Sequence, residues 1–285
     1  MTSFASPADV FITKARFFPL ITVHTLASGS SGNACLIRHG STALLLDAGI
    51  SCRRITTSLR ELGLALDDLT AVLITHTHTD HIAGLATMLK RSSFPIFASE
   101  AAARDLLYRL PGCGSRLHAF TPNRTFSLDS CSVSPFSISH AAPGACGFRI
   151  DTEDGSVGLL TDSGYVTEDA ADLLPGCDLV LLEANHDVET LECGPYPYYL
   201  KQRILGNAGH LSNETAACFA VALASSGTRE LILSHLSREN NTPAMAYNAV
   251  ERALSAAGLS PRLTVAPRDH LSETYTVCGR NVCKK

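Results

Sequence analysis

Four metal-donor side chains, His76, His78, Asp80 and His81, fall within six positions directly after the apolar run Val72-Leu73-Ile74. Imidazole nitrogens and carboxylate oxygens suit zinc, manganese or iron. Four such groups so close together cannot all face one ion. Alternate side chains of an extended loop point apart, so the spacing predicts that His76 and His78 serve one cation while Asp80 and His81 serve a neighbour. With 11 histidines in 285 residues, this clustering is not what random scatter gives.

Such donors need elements to aim them. The apolar residues before His76 read as a buried strand, and residues 82–89 as the helix after it. The same grammar of apolar strand and polar turn recurs downstream. Residues 132–139 end on His140, 156–161 on Asp162, and 229–234 on His235, while 178–183 form a further buried strand. Strands are also expected at 21–27, 34–38, 42–47, 95–99, 146–150, 263–266 and 274–278. Between the first two, Ser28-Gly29-Ser30-Ser31-Gly32-Asn33 is a turn of small residues. It would let backbone N–H groups and the Asn33 amide approach a phosphate or the metal loop. Asp47 reads as an acid that orients a ligand. Helices are expected over 53–62, from a Ser99 cap through Leu107, over 196–204 bearing Lys201 and Arg203, from a Ser212 cap to Ala224, and from Pro243 to about Ala257. Residues 111–130 read as turns and hairpin edges.

The composition, 45% hydrophobic and 18% charged, allows a sizeable core. We read residues 1–20 as a flexible N-terminal extension and 21–285 as a single domain. The net charge of -4 gives no general attraction to polyanions, so nucleic-acid contact would need a local patch. No run reaches membrane-span length and no signal-peptide core is present. Of the ten cysteines, Cys35, Cys52, Cys131, Cys146, Cys177 and Cys218 lie in or beside apolar segments. They read as mostly buried free thiols, which suits a cytoplasmic protein. Cys278 and Cys283 read as a surface coincidence.

The pattern His-x-His-x-Asp-His resembles the metal motif of the metallo-β-lactamase superfamily. That resemblance implies a four-layer αββα sandwich and three more ligands downstream. His140, Asp162 and His235 arrive where they are required. It then implies His76, His78 and His140 on one metal, Asp80, His81 and His235 on the other, and Asp162 between them. Asp80 is both ligand and catalytic residue. The segments 26–33, 45–49, 161–165, 183–187, 209–213 and 233–241 further resemble the YycJ/WalJ branch, related to ribonuclease Z and associated with exonuclease or phosphodiesterase activity. Glu183-Ala184 and His210 match two ribonuclease Z signatures and imply a Glu183–His210 proton-transfer pair, with His186 as the runner-up donor. A lactamase thiolate would replace Asp162, and a flavodiiron acid would replace His78. Neither the β-CASP insertion nor the tRNA-gripping arm is evident.

The function expected is a phosphodiesterase using two divalent metal ions, zinc first and manganese or iron as alternatives, through a hydroxide shared by both. The substrate is nucleic acid, cut as by a 5′–3′ exonuclease on DNA or RNA. The alternatives are a small-molecule phosphodiesterase, a thioester or lactone hydrolase, or a metal-binding regulator without turnover. Ser30, Asn33, Ser212 and Asn213 are the expected phosphate contacts, with Lys201 and Arg203 on the backbone. The oligomeric state stays open, a homodimer included.

Overall fold

A computed structural model describes residues 20–277. Almost all of the expected extension, together with Cys278 and Cys283, lies outside these residues.

Two sheets are built the same way. The first contains β1 (Ile21–Ala27), β2 (Ala34–His39), β3 (Thr42–Leu46), β4 (Ala71–Ile74), β5 (Ile96–Ser99) and β6 (Leu117–Phe120). The second contains β7 (Phe126–Leu128), β8 (Cys131–Ser137), β9 (Cys146–Thr152), β10 (Gly155–Leu160), β11 (Leu179–Glu183), β12 (Glu230–Ser234) and β13 (Arg262–Val265). A last strand, β14 (Tyr275–Val277), returns to pair with β1 in the first sheet. In each sheet an antiparallel meander gives way to parallel strands, from β3 onward in one and from β10 onward in the other. Parallel strands buried on both faces read as continuous apolar runs, as Leu179–Glu183 and Glu230–Ser234 do.

The inner faces meet in one core, with Val23, Leu44 and Leu73 against Phe148, Leu179 and Ile232. Helices cover both outer faces. Ser51 caps Cys52–Glu61, whose Cys52, Ile55 and Leu59 lie on one side and pack on the first sheet. On the second sheet, Ser212 caps Asn213–Ser225 and Thr242 caps Pro243–Ala256, where proline sits in the first turn. The layers therefore run helix, sheet, sheet, helix, as the expected αββα sandwich requires.

Four local expectations need correction. The helix after the metal loop starts inside the motif at Thr79 and is split into Thr79–Ile82 and Leu85–Met88. Asp80 and His81 are therefore neighbours on a helical turn, not alternate residues of an extended loop. Gly84 separates the two turns, because a Cβ there would lie 2.2 Å from the Ile50 carbonyl oxygen. Residues 111–130 contain β6 and β7, and Glu168–Leu173 and Val188–Cys193 are helices the pattern did not reveal. Cys218 is exposed, because it lies off the buried side of its helix; Cys35, Cys52, Cys131, Cys146 and Cys177 are buried free thiols.

Candidate dinuclear metal site

The site lies where strands of both sheets end. Three residues at strand ends, Asp47, Asp162 and His235, have left-handed backbone with φ of 61°, 56° and 55°. A non-glycine residue there costs on the order of 1 kcal/mol or more, and Asp and His bear it better than β-branched residues. The sharp turn aims each side chain back across the strand ends. Local bonds hold it. Thr75 donates from its backbone N–H and hydroxyl to the two Asp47 oxygens at 2.9 and 2.8 Å. The His235 N–H donates to Ser28 Oγ at 2.8 Å, and Asn185 Nδ2 donates to the His235 carbonyl at 2.9 Å.

His76, His78 and His140 form one group of donors. His78 Nδ1 lies 3.1 Å from Nε2 of both His76 and His140. Two nitrogens bound tetrahedrally at about 2.0 Å from one zinc would be separated by about 3.3 Å. His140 donates its Nδ1–H to the Gly209 carbonyl at 3.2 Å, which leaves Nε2 for a cation. Burial is the main cause that pushes all three rings below the usual imidazole range, His140 to about 4. They are therefore neutral near pH 7, with lone pairs available.

Asp80, His81, Asp162 and His235 form the second group. His81 Nε2 lies 3.4 Å from Asp80 and 3.2 Å from Asp162. His235 Nε2 lies 3.6 and 3.4 Å from the same two acids. Asp162 also reaches the first group, 3.9 Å from His140 Nε2. Behind these donors, His81 gives its Nδ1–H to Asp47 at 2.8 Å. Burial opposes charge on His81 and His235, but the acids overcome it. They raise His81 well above its usual range, and His235 to about 10. Burial likewise opposes charge on Asp80 and Asp162, and the histidines still hold both well below the carboxylate range.

Glu183 is fully buried at the end of β11 and shares its oxygens among four donors. Oε1 accepts from His210 Nδ1 at 2.8 Å and His235 Nδ1 at 3.0 Å. Oε2 accepts from the Ser163 and Leu211 N–H groups at 2.8 and 3.3 Å. Burial raises its affinity for a proton, yet the His210 charge and these bonds lower it overall. Glu183, His210, Asp162 and His235 lie close enough to suggest a further cation site. The carboxylate, however, has about four acceptor positions and all are used. Glu183 therefore holds two histidines, His210 as the sequence predicts and His235 as well.

Relatives agree with this architecture. The sequence matches the beta-lactamase superfamily domain over residues 42–236. It is 37% identical over 254 residues to "Exodeoxyribonuclease WalJ" of Streptococcus pneumoniae serotype 2 (strain D39 / NCTC 7466), covering 88% of this chain and 94% of that one. It is 32% identical over 236 residues to "Exodeoxyribonuclease YycJ" of Bacillus anthracis, covering 82% and 89%. The chain belongs to the metallo-β-lactamase superfamily, in its WalJ/YycJ branch. Its fold superposes on the metallo-β-lactamase fold protein YhfI from Bacillus subtilis with a TM-score of 0.67 and 19% identity, over 90% of this chain and 99% of that one. In this superfamily fold, the two His/Asp clusters suggest divalent metal ions.

Beside the donors of this metallo-β-lactamase site is a cleft of about 260 Å³. Ser30, Arg203 and His210 line it, together with Asn185, Tyr196 and Ser237, which the sequence did not single out. The other expected substrate residues are placed elsewhere. The Asn33 amide is a brace, since it bonds to the Gly29 backbone and Nδ2 reaches toward Asp80 and His81. Ser212 is committed to capping Thr215 N, and Asn213 is buried in a paired amide contact with Asn241. Lys201 Nζ donates to the Glu192 carbonyl and lines a different hollow. His186 is 1% exposed, does not line the cleft, and neither ring nitrogen has a partner. Burial pushes it down to about 4. A neutral ring shut away from the cleft does not suit the donor role. Asn241 is a missed residue. It also bonds the Ala184 carbonyl and so ties the Glu183 loop to the His210 loop. Its only signal was its place in the motif after His235.

Proposed function

We propose that the protein is a phosphodiesterase using two divalent metal ions, and that it acts as an exonuclease on nucleic acid. The observation that carries this reading is Asp162, set between the His76/His78/His140 group and the Asp80/His81/His235 group. In this reading all seven are ligands. Zinc is the first candidate because of the tetrahedral spacing of neutral imidazoles, with manganese or iron as alternatives. When bound, such ions would acidify water and draw charge from the phosphoryl oxygens. The names of the WalJ and YycJ relatives favour DNA as substrate.

The chain's own groups supply the rest. Asp47 and Glu183 hold the Nδ1 protons of His81 and His235, so each ring presents Nε2 to the site. Glu183 also fixes His210 through Nδ1, with its ring on the cleft. In this reading His210, when protonated, donates a proton from Nε2 to the departing sugar oxygen. Ser30 and Arg203 are the cleft groups for phosphate.

The test is hydrolysis of end-labelled 5′-phosphorylated DNA and RNA, and of bis(p-nitrophenyl) phosphate, a thioester and a lactone. The expected result is stepwise loss of nucleotides from the 5′ end, stopped by a chelator and restored by a divalent cation. Thioester or lactone turnover with intact DNA and RNA would overturn the reading.

A further inference from the structure

Residues 194–210 arch beside the metal site and carry a helix, Tyr198–Leu205, in which no residue is buried. The arch is pinned at its end. Asn207 O accepts from Ser139 Oγ at 2.7 Å, and Gly209 O faces His140 Nδ1. Gly209 permits a close return of the chain, since a Cβ there would lie 2.0 Å from the Ile204 oxygen. The helix has two working sides. Leu200, Arg203 and Ile204 line the metal cleft with Tyr196, while Tyr198, Lys201, Gln202 and Leu205 line a separate hollow. Tyr199, 74% exposed, lies four residues before Arg203, one helical turn from that cleft residue.

Helices normally bury their large apolar surface, and this one leaves aromatic rings in water beside a reactive site. Charge does not account for a grip on a polyanion. The net charge is -4, and Arg203 is the only Lys or Arg among the described residues lining the cleft. Flat aromatic rings offer another grip, base stacking, which tolerates any sequence. A base inside a duplex has both faces covered by its neighbours, so only an unpaired base can stack this way.

We propose that Tyr196 and Tyr199 form a stacking platform for unpaired bases of the strand being cut, with Arg203 on its backbone. The proposal rests on the nuclease reading above. Strand separation then precedes cleavage, and a paired end is processed only as fast as its terminal bases open.

The test is binding, measured by fluorescence anisotropy of the metal-loaded protein on a short, labelled oligothymidylate with hydrolysis-resistant phosphorothioate linkages. A matching abasic strand is the control. Tyr199→Ala and Tyr196→Ala should each weaken oligothymidylate binding roughly tenfold, while Tyr199→Phe stays within about twofold. The abasic strand should bind more weakly to the native protein and should not distinguish the variants. Tyr198→Ala, which removes an equally exposed ring from the other side, should bind as the native protein does. Equal affinity of the native protein for the two strands would overturn the platform, as would unchanged binding in Tyr199→Ala or equal losses in Tyr198→Ala and Tyr199→Ala. If those results come from a protein that still degrades DNA, only the platform fails. A native protein that neither binds nor degrades DNA or RNA removes the nuclease reading as well.

Discussion

At the scale of single residues, Asp162 and His210 separate metal binding from proton transfer. Among the described residues, Asp162 is the one carboxylate within 4 Å of donor nitrogens in both groups. Asp162→Ala should lose at least one ion, read as metal-to-protein ratio, and nearly all hydrolysis. Asn tolerates left-handed backbone, so Asp162→Asn should keep the turn, lose some stability with the buried charge, and bind less metal. Full two-ion occupancy in both variants would count against the bridge. His210 is hydrogen-bonded to Glu183 at 2.8 Å and approaches the donor Asp162 only at 3.6 Å. His210→Ala should therefore retain metal and lose roughly a hundredfold in rate on natural phosphodiesters. On a p-nitrophenyl diester the loss should shrink sharply, because that leaving group departs without a proton. Equal losses on both substrates would exclude the general-acid role. The convergence of these donors was legible because histidine and aspartate at strand ends are uncommon and came in order. Glu183's second bond, to His235, was not legible. It joins residues 52 apart in sequence, and nothing local marks it.

At the scale of elements, strands and several helices followed from apolar runs, the Ser99 and Ser212 caps and Pro243. The failures share a cause: short elements carry too few residues for a period to show. Thr79–Ile82 also contains weak helix formers, and it forms because tertiary contacts hold it. One of those contacts is with Gly49. Its N–H bonds to the Asn33 carbonyl, and a Cβ there would lie 1.6 Å from the Asp80 carbonyl oxygen. Gly49→Ala must push the Asp80–His81 turn away from the loop at 48–50. The expected outcome is a lower melting temperature together with loss of metal, chiefly from the second group. A variant with native melting temperature and two ions per chain would show that the turn can relax without cost. Ser212 shows the opposite ambiguity. A serine before a helix looks the same in sequence whether it caps that helix or binds a phosphate, and here it caps.

At the scale of the whole molecule, the donors come from both sheets, so bound cations would clamp them together. His76, His78, Asp80 and His81 follow β4 of the first sheet, while His140, Asp162 and His235 follow β8, β10 and β12 of the second. Ligands that bind only the folded state stabilise it, by about 2.7 kcal/mol at a hundred times Kd, and chelation should lower the melting temperature by several degrees. The two groups should load differently with pH. His76, His78 and His140 are depressed below 6.5 and hold no proton near pH 7, so the first cation displaces none. His81 and His235 are raised, His235 to about 10, and are protonated at pH 7 in the metal-free protein. The sign follows from linkage. Stability from these two protonated rings is fully present below their unfolded value near 6.5 and is lost as pH rises through the folded value. Cation binding requires the neutral rings, so filling the second group should release about two protons and strengthen as pH rises. Titration calorimetry in buffers of different ionisation enthalpy reads this directly. The first cation should show a heat independent of buffer. The second should show a buffer-dependent heat, and an affinity that rises steeply between pH 6 and 8. Buffer-independent heats for both cations would mean that His81 and His235 are already neutral, and the charge balance drawn around Asp162 would be wrong.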